Sequence, residues 1–318
     1  MPQERLVDSI RKRIGAEASL IDEVAGVLDI SYDAAHRRIS MKSKFSIEEA
    51  VQLANHYGLS MDKLFQEGDR ILVSKTKDVQ NFEDLSRYLE SSYKFLTVHA
   101  ANLDTELFYS AKDIPLFYTV NNDLLSKFKL YVWLYLLNFD DLGMSFDAFQ
   151  PKAPVVDQGQ RMNQLYAAVR TNEIWNDSTI NSTLQQISYF FQSGLLSAAD
   201  GQALCEHLKE LVSRLEQQCA DRNDQYRLYY HEMHILNNNV LISDPHKKSL
   251  FVPYTMLGYY VTNDEGTCGT AYHFFQYQLK NSKLLNTAGI KDRNMFFNRV
   301  YRKIDHYKDQ MTAFPDML

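Results

Sequence analysis

Leu6, Ile10 and Ile14 recur every four residues, which sets them on one stripe of a helix that Gly15 ends. Ser19 opens a second helix with Asp22 three residues on, and Ile21, Val24, Ala25 and Leu28 make its apolar face. Asp29 and Ile30 interrupt the pattern. Ser31 then caps a third helix running to about residue 40, with Ala34, Ala35 and Ile39 inward. Ser46 and Glu49 form a capping box for a fourth helix that Gly58 ends. Ser60 starts a short fifth helix, with Leu59 stapled onto Leu64. After a short break, helical spacing returns over residues 81–101, 122–137, 159–171, 179–192 and 198–220. The second half of 122–137 is apolar nearly all round, so this helix is expected at the centre. Leu204, Leu208, Leu211 and Leu215 keep a 4-3-4 spacing that suits core packing better than a dimer seam, since two heptads are too few for a coiled coil.

Further on, the period changes. Residues 226–235, 240–242 and 249–252 are separated by Asn237-Asn238-Asn239 and Asp244-Pro245-His246-Lys247, which predicts a three-stranded antiparallel meander. Helices over 269–285 and 291–310 close the chain. The expected fold class is therefore mainly α: a five-helix domain over 1–68, a linker over 69–80, and a large helical domain over 81–318 with a small antiparallel β-meander near 226–252.

Composition narrows the picture. The chain has 318 residues, 45% of them hydrophobic, which excludes a mainly disordered protein and suggests two or three domains. A net charge of −6 excludes nucleic-acid binding by bulk charge. A local exception runs from His36 to Lys44, where Arg37, Arg38, Lys42 and Lys44 stand with no acid among them. The longest apolar stretch, 130–137, falls far short of the roughly 20 residues that span a bilayer. Cys205, Cys219 and Cys268 are scattered, with no CxxC. With no apolar signal segment at its start, the chain is expected to be cytoplasmic, reduced and without membrane partners.

Five short helices in about 65 residues, the second and third joined by a tight turn, resemble the lambda-repressor/Cro class of helix-turn-helix domains. The resemblance rests on Glu23-Val24-Ala25-Gly26-Val27-Leu28-Asp29-Ile30-Ser31, on Tyr32-Asp33-Ala34-Ala35-His36-Arg37-Arg38-Ile39, and on the stretch from Glu49 to Phe65. It implies a close helix crossing at Ala25 and a recognition helix beginning at Tyr32. Two positions depart from the family: Asp29 stands where Gly is frequent in the turn, and Ala35 where Val or Ile is frequent in the recognition helix. The motif places Tyr32, Asp33, His36 and Arg37 at base edges in the major groove. Ser31, Arg38, Lys42 and Lys44 would hold phosphates. Residues 1–70 carry ten Lys or Arg against twelve Asp or Glu, so a single copy would bind weakly and a homodimer on two half-sites is implied.

Other constellations carry little chemistry. His231 and His234 lie three apart in what reads as a strand, not at the i, i+4 spacing of a zinc helix, so no metal site is expected. Gly266, Gly269, Thr267 and Thr270 lack the strand and lysine of a phosphate loop and read as a turn and helix cap. Asp140-Asp141 reads as a helix terminus. No nucleophile elbow is present, and neither a cofactor nor enzymatic activity is expected. Tyr118, Trp133, Tyr135, Tyr229 and Tyr254 would line a pocket if the sheet packs on the central helix; a plain core is the competing reading. The expected function is a sequence-specific DNA-binding transcriptional regulator acting on double-stranded DNA. Its C-terminal domain would sense an unknown effector or protein partner, or mediate dimerisation. The alternative is a protein-interaction module whose helix-turn-helix fold does not bind DNA.

Overall fold

A computed structural model describes residues 2–14, 18–65, 71–137, 144–221 and 224–313. The chain divides into two units, Met1–Leu72 and Val73–Leu318. The predicted stop at Gly15 and the Asp140-Asp141 pair lie outside the described residues.

The first unit comprises α1 (Pro2–Arg11), α2 (Leu20–Leu28), α3 (Tyr32–Ile39), α4 (Ile47–His56) and α5 (Met61–Phe65). Ser19, Ser31 and Ser46 each accept a backbone N–H three residues on, and Glu49 closes the capping box at Ser46. Asp29 takes the left-handed conformation, φ 52°, which its short polar side chain tolerates. That lets α2 turn into α3 without a glycine. Leu6, Ile10, Val24, Leu28, Ala35 and Leu53 form the buried core.

The second unit overturns the expectation of a mainly α chain with a small antiparallel meander. It is an α/β structure built on one eight-stranded mixed sheet, in the order β1-β7-β6-β5-β2-β3-β4-β8. The strands are β1 (Ser74–Lys75), β2 (Glu106–Ser110), β3 (Arg170–Trp175), β4 (Tyr226–Tyr230), β5 (Val240–Ser243), β6 (Lys248–Pro253), β7 (Tyr259–Thr262) and β8 (Lys283–Leu284). β2, β3 and β4 run parallel, with Glu106 opposite Arg170 and Thr171 opposite Tyr226. β5 is antiparallel to β2, not to β4. The predicted meander is therefore wrong in its first strand: two strands separate 226–230 from 240–243. Only β5 and β6 pair as expected, and β7 extends them.

The helices of this unit are α6 (Phe82–Ala100), α7 (Leu124–Leu136), α8 (Ala153–Ala168), α9 (Asn181–Gln192), α10 (Ala198–Ala220), α11 (Glu265–Lys280) and α12 (Ile290–Ala313), with a 3-10 turn at Leu116–Thr119. The sheet is covered on both faces. Leu107, Tyr109, Trp175, Leu228 and Ile242 join the larger core with α6–α10 and α12. Phe108, Ile174 and Leu241 face α11 through Cys268 and Phe275. α8 starts earlier and ends earlier than its predicted 159–171, because Pro154 is tolerated in a first turn and residues 170–171 belong to β3. α7 is central, as its all-round apolar pattern requires. Leu204, Leu208, Leu211 and Leu215 are all buried in the core, so they leave no dimer seam on α10. Among the described residues no helix is long and apolar enough to cross a membrane.

Candidate functional site

On α3, Ala35 is fully buried and fixes the helix's rotation. Tyr32 and His36, and beside them Asp33 and Arg37, then share the outward side, because residues four apart stack on a helix. Ser31 is exposed at the N-terminus, and its hydroxyl accepts from the Ala34 amide at 3.3 Å. Lys42 and Lys44 are exposed in the loop that follows. Among the described residues, Arg37, Lys42 and Lys44 make no ion pair. Arg38 differs. Its Nε and Nη2 grip the Glu49 carboxylate at 3.0 and 2.8 Å, and its Nη1 donates to the Ala34 carbonyl. Burial pushes the Glu49 carboxyl up, but Arg38 and the Ser46 amide hold it below its ordinary value. Three of the five N–H donors of Arg38 are thus engaged within the first unit. Gln3 shapes the basic loop, donating to the carbonyls of Arg38 and Ser43 and accepting from the Phe45 amide. Nothing in the local pattern announces that role, since Gln3 lies some 40 positions away.

The second unit holds a cavity of about 420 Å³ at the carboxyl end of β2, where the loops after β2 and β4 meet the β6–β7 turn. Open α/β sheets commonly bind ligands at this end of their parallel strands. Lys129 of α7 lines it and is only 2% exposed. Its Nζ donates to Asp113 Oδ2 at 3.1 Å and Gln186 Oε1 at 3.0 Å. Asp113 Oδ1 accepts from its neighbour's amide at Ile114 and from the Thr183 hydroxyl. Of the five aromatic residues singled out in the sequence, Trp133 and Tyr254 line this cavity. Tyr259 lines it too, and burial raises its hydroxyl to about 12. Lys129, which opens the apolar run 130–137 of α7, is the sequence signal for the site, though Lys127 two residues earlier carries the same signal without lining the cavity.

Deeper in the sheet, the carboxylate of Glu173 on β3 is fully buried. Its Oε1 accepts from the hydroxyls of Tyr118, at 2.6 Å, and Tyr166. Its Oε2 accepts from Trp175 Nε1 at 2.7 Å and Tyr226 at 3.1 Å. Burial pushes the Glu173 carboxyl above its ordinary value while the four donors pull against it. Burial and the nearby carboxylate push all three tyrosine hydroxyls well up. A third polar chain links Asp244 Oδ2 to His99 Nδ1 at 2.9 Å and His99 Nε2 to Ser249 Oγ at 3.1 Å. That order matches a serine hydrolase relay. Ser249, however, is fully buried, lines neither the sheet-end cavity nor the apolar chamber behind it, and donates its hydroxyl to Asn263 Oδ1 at 2.5 Å.

His231 and His234 follow β4 rather than lying in it. They contact Ser282 and Ser178, respectively, so the strand reading of this pair is corrected. Gly266 and Gly269 sit in the first turns of α11, which Asp264 caps. Among the described residues no group of three His, Cys, Asp or Glu is placed to hold a metal ion. All three cysteines are buried; the Cys268 thiol donates to the Thr262 carbonyl at 3.4 Å, and burial raises Cys205 to about 11 and Cys219 to about 12. No family model matches the chain, and no curated protein or solved structure matches it.

Proposed function

We propose that the protein is a sequence-specific, DNA-binding transcriptional regulator that acts in the cytoplasm as a homodimer on double-stranded DNA. In this reading α3 is the recognition helix. Tyr32, Asp33, His36 and Arg37 read base edges, while Ser31, Lys42 and Lys44 position the backbone, with Arg38 offering its remaining N–H donors. The observation that carries the reading is the single outward side of α3, fixed by buried Ala35 and preceded by the left-handed turn at Asp29. The second unit serves as the sensing or dimerisation part. A ligand there changes operator affinity only to the extent that it prefers one of two states of the protein.

The test is selection of bound sequences from a randomised duplex pool by the full-length protein at near-physiological salt. The expected result is an enriched motif with two half-sites about one helical turn apart. A folded protein that enriches nothing would favour the second reading, a protein-interaction module. That reading draws on α4, where Ile47 and Val51 are 79% and 42% exposed beside an apolar groove lined by Met41 and Phe45.

A further inference from the structure

We propose that the cavity at the carboxyl end of β2 binds a small monocarboxylate with a short apolar tail. The inference rests on the second unit alone and stands whether or not α3 reads DNA.

The charges define the head group. Among the described residues lining the cavity, the charged ones are Lys112, Asp113 and Lys129, which leaves one net positive charge. Asp113 is already committed: Lys129 takes one oxygen, and Thr183 and the Ile114 amide take the other. Lys129 is not fully committed. An ammonium carries three donors, and Asp113 and Gln186 use two of them. Holding a lysine 2% exposed is costly, and a ligand anion would complete its shell. Lys112 is exposed at the rim and supplies the second cation. Asn237 and Asn238 line the same cavity; Asn238 Oδ1 accepts from the Asp113 amide at 3.0 Å, which leaves side-chain N–H groups to suit the second carboxylate oxygen.

The tail is defined by what lies behind. Tyr88, Tyr109, Leu116 and Tyr259 line both this cavity and a second chamber of about 60 Å³. The inner chamber is walled by Leu96, Met162, Ile242 and Phe251 and has almost no polar surface. It has room for a few methylenes and no more. A charged mouth backed by a small apolar chamber, with four side chains at their shared boundary, is the complement of a short amphipathic acid. The outer volume falls within the roughly 300–1,000 Å³ of small-molecule sites.

The experiment is titration calorimetry on the full chain with butanoate, hexanoate, octanoate, hexan-1-ol and inorganic phosphate. Affinity is expected to rise about fourfold per methylene from butanoate and to level off by octanoate, as the inner chamber fills. Hexanoate should bind about tenfold tighter than hexan-1-ol, because a hydrogen-bonded charge is lost in the alcohol. Lys129→Met should abolish that preference. Should that variant fail to fold, Lys112→Ala is expected to weaken hexanoate several-fold, and Leu116→Phe to remove the gain over butanoate by enlarging a side chain at the boundary of the two spaces. Equal binding of hexanoate and hexan-1-ol, no binding of any carboxylate at about 10 mM, or binding of phosphate alone would each overturn the proposal.

Discussion

Two buried charges in the second unit are treated in opposite ways. Glu173 sits between β2 and β4 with four donors on its two oxygens, so every strong acceptor direction is used. Lys129 is as deeply buried, yet it borders open space and has an N–H to spare. A buried charge satisfied from within holds its neighbours in one arrangement and has nothing left to offer a ligand. A buried charge satisfied only in part, at the wall of a cavity, is a site. The contrast separates scaffold from function without reference to any relative of the chain.

The largest predicted effect tests the closed member of the pair. Glu173→Leu strands three tyrosine hydroxyls and an indole N–H, and should cost at least about 3 kcal/mol in urea unfolding. A loss under about 1 kcal/mol would remove the cluster's role as an anchor. Glu173→Gln adds a test in pH. The folded state binds the Glu173 proton more tightly than the unfolded chain does, so its contribution falls as pH rises above the ordinary value of 4.5. The Gln variant cannot ionise. The stability of the parent relative to this variant should therefore decline as pH rises above 4.5 and level off once Glu173 has ionised in the folded state.

Lys129→Met comes next, at about 2–3 kcal/mol, because it leaves Asp113 without its cation. Gly159→Ala should cost about 1–3 kcal/mol, since a Cβ there runs into the Val120 carbonyl where α8 crosses the loop before α7. A neutral outcome would mean that the crossing yields easily. The smallest stability changes fall on the first unit. Arg38→Ala should cost about 1 kcal/mol for a partly buried pair, and Arg37→Ala within about 0.5 kcal/mol. On the preferred duplex the order reverses: Arg37→Ala should lose about 1–3 kcal/mol and relax one base position in competition binding. Lys44→Ala should weaken all sequences alike and flatten the salt slope by about one unit.

The first unit is legible in the sequence because its signals are local. Ser19, Ser31, Ser46 and Glu49 announce helix starts within three residues of where they act. In the second unit the same holds for α10, whose bounds follow from its 198–220 periodicity. The sheet is not, for two reasons. β2 and β3 are covered on both faces, so no alternation marks them, and β3 hides Thr171, Asn172 and Glu173 inside the fold. The alternation in β4 does mark a strand, but strand order is set by crossovers through α8, α9 and α10, and Tyr226 pairs with Thr171 instead of the next strand along the chain. The cavity joins Asp113, Lys129, Gln186 and Asn238 from four separate segments, and no spacing rule brings them together. Among the described residues the outward side chains of α3 make no ion pair, and the Arg38–Glu49 contact beside them is invisible until α4 is packed.

The second unit begins at the roof of its own cavity. The Thr76 amide donates to the Tyr259 carbonyl at 3.0 Å, and the Tyr259 amide returns a bond to the Thr76 hydroxyl at 2.9 Å. The Tyr254 hydroxyl reaches Asp78 at 3.1 Å. Only two residues of ladder, Ser74 and Lys75, back this lacing, and both are exposed. Such an edge opens at a fraction of the free energy of global unfolding. Deuterium uptake at the Thr76 and Tyr259 amides therefore reports on the roof rather than on the whole sheet. A small molecule lodged under the 254–258 turn would slow uptake at Thr76, a residue outside the cavity lining, and so make occupancy readable at the point where the chain enters this unit.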